Sequence, residues 1–340
     1  MARARVQRKL SQEGETMNIR RISLMVIAVL AVASIASASN FRAADIVYFP
    51  SAGKIASGNS VFVTDVYITN HTNSKVVVSV GFGETGTAAD NSQLPKNLKN
   101  LPTSLAAGER RLISDVTGTL FPEKDGKLGF LVFFACREGG NCLDCDVNPA
   151  DCSLISVEGR IYSYPAANPA GGTKGQLFVG YPWYSFVSPS DAGLSLDTVF
   201  IVGLRNEGAR PTSGYRTNFG ILNASQDYST QVKVSVYTGT GTLVGEKTYP
   251  LKPLGHVQTS ILDAAPNFTT NNSVGYAIIQ QTGSTLVPGG CAACASGFFV
   301  FGSVLDNITD DPTTLESIYT QQLDLRCVYG SKADRRPVRR

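Results

Sequence analysis

The chain has 340 residues, of which 43% are hydrophobic and 17% charged, with a formal net charge of +3. Part of that small excess comes from the leader and from Arg335-Arg336-Pro337-Val338-Arg339-Arg340, so the body lacks the basic surface that a nucleic-acid partner requires. With 33 Gly, 13 Tyr and 16 Phe, the composition suits short strands joined by many turns and excludes a mostly helical protein.

Asn18-Ile19-Arg20-Arg21 precedes an apolar run from Ile22 to Ile35 and then Ala36-Ser37-Ala38. A charged head, a short apolar middle and an Ala-x-Ala ending form a signal peptide over 17–38, cleaved after Ala38 with Ala44 as the fallback. Residues 1–16 read as an over-called extension upstream of Met17. The apolar run is shorter than the roughly 20 residues a bilayer span needs, so no membrane span is expected after cleavage. The expected location is secreted, extracellular or on a bacterial cell surface, with the periplasm as the variant.

The mature chain of about 300 residues has room for two domains. In the first, Phe62 to Asn70 alternates so that Phe62, Thr64, Val66 and Ile68 share one face, which reads as a strand. After the turn residues His71 to Ser74, Val76, Val78 and Val80 alternate with Val77 and Ser79, and the two segments read as a hairpin. Tyr215 to Asn223 followed by Val232, Val234 and Val236 has the same phase, with Lys233 and Arg216 marking the outward face. Three further blocks recur in order. Ala107-Gly108-Glu109 leading to Ser114-Asp115 matches Leu254-Gly255-His256 leading to Leu262-Asp263; Gly129 to Val132 matches Gly275 to Ile278; Val157 to Ile161 matches Val300 to Val304. Such order is an internal duplication.

The predicted fold is therefore all-β, two tandem antiparallel Ig-like β-sandwiches, because each copy has strand faces that only a second layer can cover. Copy 1 spans 45–187, a linker 188–195, copy 2 196–326, and a basic tail 327–340. Gly175 to Tyr184 is strand-like and closes copy 1, with Trp183 packing at the junction.

The order of these blocks, with Thr64-Asp65-Val66 near one strand start, Tyr215-Arg216-Thr217-Asn218 in the second copy, and Val304-Leu305-Asp306-Asn307 followed by Asp311-Pro312, resembles tandem Ig-like β-sandwich repeat proteins of unknown function secreted by environmental bacteria. The resemblance spans roughly Ile46 to Ser317. It implies an extracellular module attached to larger surface or secreted proteins and carries no catalytic residue. The cysteine-bearing loops depart from the plain repeat.

All seven cysteines follow the leader. Cys136, Cys142, Cys145 and Cys152 lie in one loop, and Cys291 and Cys294 in the matching loop of copy 2, so both copies carry C-x2-C at the same predicted hairpin. Disulfides Cys136–Cys152, Cys142–Cys145 and Cys291–Cys294 are the favoured reading for an exported chain. Four thiolates on zinc are the alternative. Cys327 is left over, as a free thiol or an intermolecular bridge that would make the chain self-associate.

Catalytic signals are absent from the motifs. The two histidines, His71 and His256, sit in no nucleophile or metal frame and read as surface residues. Glu84, Asp115, Glu158 and Asp263 would have to converge for sugar hydrolysis. Asp144, Asp146 and Asp151, and again Asp306, Asp310 and Asp311, crowd turns without EF-hand spacing, which leaves calcium as a minor reading. Asn70, Asn223 and Asn307 open N-glycosylation patterns. No nucleotide loop and no cofactor is expected. The function expected is a non-catalytic structural or adhesive module. A carbohydrate- or protein-binding module with Tyr181, Trp183 and Tyr184 as an aromatic platform is the alternative, and an extracellular hydrolase the second alternative.

Overall fold

The computed structural model describes residues 42–321 except 88, 140–152, 188–196, 209–212, 270–273 and 293–295. The expected signal peptide, linker and basic tail lie outside the described residues.

In the first half, strands β1 (Ile46–Gly53), β2 (Ile55–Ser57), β3 (Ser60–Asn70), β4 (Val76–Glu84), β5 (Lys99–Asn100) and β6 (Arg110–Ile113) precede a short helix α1 (Val116–Leu120), followed by β7 (Leu128–Arg137), β8 (Ile155–Pro165), β9 (Lys174–Val179) and β10 (Tyr181–Pro182). The second half contains β11 (Asp197–Arg205), β12 (Tyr215–Asn223), β13 (Tyr228–Thr238), β14 (Leu243–Leu251), β15 (His256–Ser260), β16 (Val274–Leu286), β17 (Phe298–Asp306), β18 (Pro312–Leu315) and β19 (Ser317–Gln321). The protein is all-β, built from four sheets. Sheet I carries β2, β3, β8 and β9, with β6 also on β3; sheet II has the order β10-β1-β7-β4-β5. Sheet III has the order β15-β12-β17-β18 and sheet IV β14-β13-β16-β11-β19.

Read from opposite ends, sheets II and IV place corresponding strands in the same order, as do sheets I and III apart from β2. Side-chain devices repeat with them. Thr64 Oγ1 accepts from the Gly53 N–H at 3.0 Å and donates to the Gly53 carbonyl at 3.2 Å; Thr217 Oγ1 does the same to Arg205 at 2.9 and 2.7 Å. A buried hydroxyl must spend both roles, and the backbone N–H and carbonyl of a residue at the end of a strand in the facing sheet take both.

The two predicted hairpins are corrected to corners between sheets. β3 pairs with β2, β6 and β8 while β4 pairs with β5 and β7, and β12 and β13 are likewise in different sheets. Val66 and Ile68 face Val76, Val78 and Val80 across one core instead of lying beside them. Alternation reports which side of a strand is buried and not which strand lies next to it. At each corner an asparagine holds the chain: the Asn70 amide donates to the Ser74 and Ala106 carbonyls at 2.8 Å each, and that of Asn223 to Tyr228 and Lys252 at 2.7 and 2.8 Å. Their carboxamide oxygens accept from the Thr72 and Ser225 N–H groups, an Asx turn in each copy. Asn70, Asn223 and Asn307 are all buried, so the glycosylation patterns they open are closed in the folded chain.

One core lies between sheets I and II and a second between III and IV. A third joins the halves: Tyr48, Phe130, Val132, Phe134 and Tyr181 from sheet II meet Leu222 and Phe299 from sheet III. Each such side chain gains about 1.5–3 kcal/mol on leaving water. The halves share this joint core and lack the independence expected of modules on a linker; the described residues form one unit. No described helix is long and apolar enough to cross a membrane.

A polar cleft between the halves

Where β9 and β18 approach, a cleft of about 350 Å³ opens between the halves. Ser51, Phe62, Tyr162 and Gln176 line it from the first half, and Arg216, Asn218, Gln258 and Ser303 from the second. Period-two alternation aims them: Asn218 falls between the buried Thr217 and Phe219 and so must face outward. Ser51 sits in the register shift of β1 between Phe49 and Ala52, where a bulge re-aims a side chain, and its hydroxyl donates to Gln258 Oε1 at 3.0 Å. Gln176 Oε1 accepts from Ser303 at 2.8 Å and Thr314 at 3.4 Å, which ties the halves across the cleft.

The charges at the rim are committed. Arg216 donates to Asn307 Oδ1 at 3.1 Å and Asp310 Oδ1 at 2.9 Å, and the Lys174 ammonium to the Thr309 carbonyl. Tyr162 donates to Asp65 Oδ1 at 3.4 Å; burial, then the Asp65 charge, push its pKa up, so it remains a phenol. The amide nitrogens of Gln176 and Gln258 and the whole Asn218 carboxamide make no protein hydrogen bond among the described residues. What the cleft offers is neutral hydrogen-bonding groups beside the Phe62 and Tyr162 rings.

Of the cleft residues, the sequence marks by chemistry only Arg216, as an outward residue, and Asp310, as part of an acidic run. Amides at outward strand positions are the one signal that was there, and nothing in one strand's pattern shows which outward faces meet.

The other candidate site residues are elsewhere. Glu84 pairs with Lys124, Asp115 with Lys54, Glu158 with Arg110 and Asp263 with Lys247, so the four carboxylates each face a different cation, and none lines the cleft. The Lys124 hydrogen bond pulls the Glu84 pKa down. Asp115 also accepts from the Gly118 N–H to cap α1, while Asp263 accepts from Tyr249; the ladders place Ile261, not Asp263, at the position corresponding to Asp115. Asp306 accepts from the Ile308 and Thr309 N–H groups at 2.8 and 2.7 Å, so it is spent on its own turn, while Asp310 is spent on Arg216 of β12. Among the described residues no group of three or more His, Cys, Asp or Glu is placed to hold a metal. Asp144, Asp146 and Asp151 lie outside them.

His71 is exposed, with Nε2 2.8 Å from Ser156 Oγ. His256 is fully buried, which corrects the surface reading. Its ring lies between Phe130 at 5.6 Å and Phe301 at 6.1 Å because β15 borders the joint between the halves. Neither ring nitrogen reaches a partner in hydrogen-bonding geometry. Burial drives its pKa down to about 3, against a smaller upward pull from the Pro50 carbonyl.

Two of the three expected platform residues lie at the joint. Tyr181 is buried and stacks on Phe299 with ring centroids 5.1 Å apart. Trp183 packs into the joint and donates its indole N–H to Asp45 Oδ1 at 2.8 Å. The Tyr184 side chain lies outside the description. Cys136 and Cys291 are each disulfide-bonded; Cys142, Cys145, Cys152, Cys294 and Cys327 lie outside the described residues. The Cys136 loop runs from β7 in sheet II to β8 in sheet I, so it is a crossover between layers and not a hairpin.

No family model matches this chain, and no curated protein matches it. Among solved structures it is similar to a biofilm associated protein BSP domain, with 8% identity and a TM-score of 0.17 over 82% of this chain and 59% of that one. A Bacteroides uniformis beta-glucuronidase 2, covalently bound to cyclophellitol-6-carboxylate aziridine, aligns with 10% identity and a TM-score of 0.14 over 78% of this chain and 26% of that one. The chain thus covers less than two thirds of either structure.

Proposed function

We propose that this chain is an exported, non-catalytic structural or adhesive module of the tandem Ig-like kind, held rigid by its repeated halves. The observation that carries the reading is the third core. Tyr48, Phe130, Phe134, Tyr181 and Phe299 fuse two similar halves into a body whose geometry resists bending at the joint, which is what a spacer or adhesive element needs. In this reading the Cys136–Cys152, Cys142–Cys145 and Cys291–Cys294 pairs staple its loops outside the cytoplasm, and Cys327 is free or bridges copies. The test is expression with the leader intact. A mature chain beginning at Ser39, attachment of cells to surfaces that falls when the chain is deleted, and no turnover of glycoside, ester or peptide substrates are expected. Retention in the cytoplasm, or turnover abolished by one carboxylate substitution, would contradict it.

A second reading, a carbohydrate-binding module, is favoured by the cleft. Paired carboxamides beside aromatic rings suit the vicinal hydroxyls and apolar face of a sugar, and the volume lies within the roughly 300–1,000 Å³ of small-ligand sites. Glycan-array binding lost in Asn218→Ala and Gln258→Ala, and kept in Trp183→Phe, would support it; an array without signal would sink it.

A further inference from the structure

The duplicated strand order supplies an internal control for every sheet face. On sheet II, the outward residues Tyr48, Phe130, Val132 and Tyr181 are covered by sheet III. Ladder positions identify their counterparts on sheet IV as Phe200, Tyr276, Ile278 and Ile318. That face remains apolar, yet among the described residues no sheet lies on it. Val202, Leu243, Val274 and Ile318 there are 44%, 48%, 53% and 47% exposed, although the inward residues of the same strands, Val199, Ile201, Val234, Val236, Ala277 and Ile279, are buried.

The two faces differ in one informative way. On sheet II, Phe130 folds down onto Gly83, where a Cβ would come within 2.1 Å of the ring, and the surface is low enough for sheet III to settle on it. On sheet IV the residue paired with Tyr276 is Tyr237. The two rings stack at 5.2 Å with a 10° interplanar angle, and Phe200 stacks on Tyr276 at 6.4 Å. The result is an aromatic row across three adjacent strands, rimmed by the Lys233–Glu246 pair and by the Gln280–Thr198 hydrogen bond. An apolar patch of this kind, polar at its edge, marks an interaction site.

We infer that two copies of this chain associate through the outer faces of their sheets IV. The inference deepens the self-association in the proposed function and replaces a single thiol with a surface. The other outer face of the molecule, that of sheet I, cannot be the complement: it carries the Arg110–Glu158 ion pair, with Arg110 over Tyr67 at 4.7 Å and Arg160 over Tyr162 at 5.1 Å. Covering those charges with tyrosine and isoleucine would strip their water without replacing it. Among the outer faces of this chain the apolar one is therefore matched by itself. A face meeting its own copy about a two-fold axis closes at the dimer, with the Lys233–Glu246 pair left at the solvated rim.

Sedimentation velocity over a range of concentrations, in reductant and on Cys327→Ser so that no disulfide can join copies, tests this directly. The expected result is a reversible dimer. Phe200→Asp with Tyr276→Asp should weaken it at least about 30-fold, the scale of a hot-spot pair, while Leu112→Asp on sheet I leaves it unchanged; circular dichroism confirms that each variant is folded. A parent chain that stays monomeric, or a dimer indifferent to the sheet IV substitutions, overturns the inference. So does a monomer whose sheet IV amides are protected from hydrogen exchange until residues 322–340 are removed, since the cover would then be the chain itself. A monomer that is exported, adhesive and without turnover would sink the dimer and leave the proposed function standing.

Discussion

His256 and Arg110 hold the same place in the two halves, each opposite the next-to-last residue of the strand that leads to a corner asparagine: His256 pairs with Leu222 and Arg110 with Thr69. One is sealed between Phe130 and Phe301 without a hydrogen-bonding partner for its ring, and the other is half exposed and paired with Glu158. The backbone ladder is common to both. What differs is whether another sheet lies on the face, and that decides whether the position must be uncharged or is free to be an ion pair. Burial in this fold is a property of layer order more than of strand pattern.

The largest expected effect comes from breaking the covered side. Phe299→Ala removes the ring that stacks on Tyr181 and tilts against Tyr48, and a cavity in that joint should cost about 3–5 kcal/mol, read as a lower midpoint in denaturant. The corresponding residue of sheet I, Ser156, is small, buried and hydrogen-bonded to His71, so Ser156→Ala should cost only about 0.5–1.5 kcal/mol, the loss of one hydrogen bond.

Next is acid. His256 titrates near 6.5 when unfolded and at about 3 when folded, so the unfolded chain takes up the proton first. Its contribution to stability is intact above 6.5 and is lost as pH falls from 6.5 towards 3, at up to about 1.4 kcal/mol per pH unit. Stability measured against pH should fall more steeply below 6.5 in the parent than in His256→Phe, both losing the carboxylate contributions at lower pH; equal slopes would mean that the ring reaches water.

A smaller loss is expected at the corners, where Asn70→Ala and Asn223→Ala should each cost about 1–3 kcal/mol by leaving buried carbonyls unpaired. Comparable losses at both would confirm that the corner is one device used twice. The smallest effect belongs to Arg110→Ala, at most about 1 kcal/mol for an exposed pair, seen only at low salt.

The valine rows were legible from their spacing: Val76, Val78, Val80 and Val232, Val234, Val236 are all buried, and the recurring blocks anticipated the repeated strand order. The corners were not legible, since an alternating pair looks the same whether it forms a hairpin or crosses between layers, and only the partners of Asn70 and Asn223 distinguish them. Nor was the joint. Glycine and histidine in Leu254-Gly255-His256 carry no mark of burial; Trp183 was legible as junction packing, but with Tyr181 it suited a binding platform equally, because aromatics next to a segment boundary fit a surface and an interface alike. The cleft stayed hidden for the same reason, as Gln176, Asn218 and Gln258 acquire a common purpose only when β9, β12 and β15 are brought together.

The central claim is that the four sheets behave as one body through the Tyr48, Phe130, Tyr181 and Phe299 core. Differential scanning calorimetry of the oxidised full-length mature chain tests it most directly. The account predicts a single transition whose calorimetric and van't Hoff enthalpies agree, shifted as a whole by Phe299→Ala. Two resolved transitions, one for each half, would contradict it.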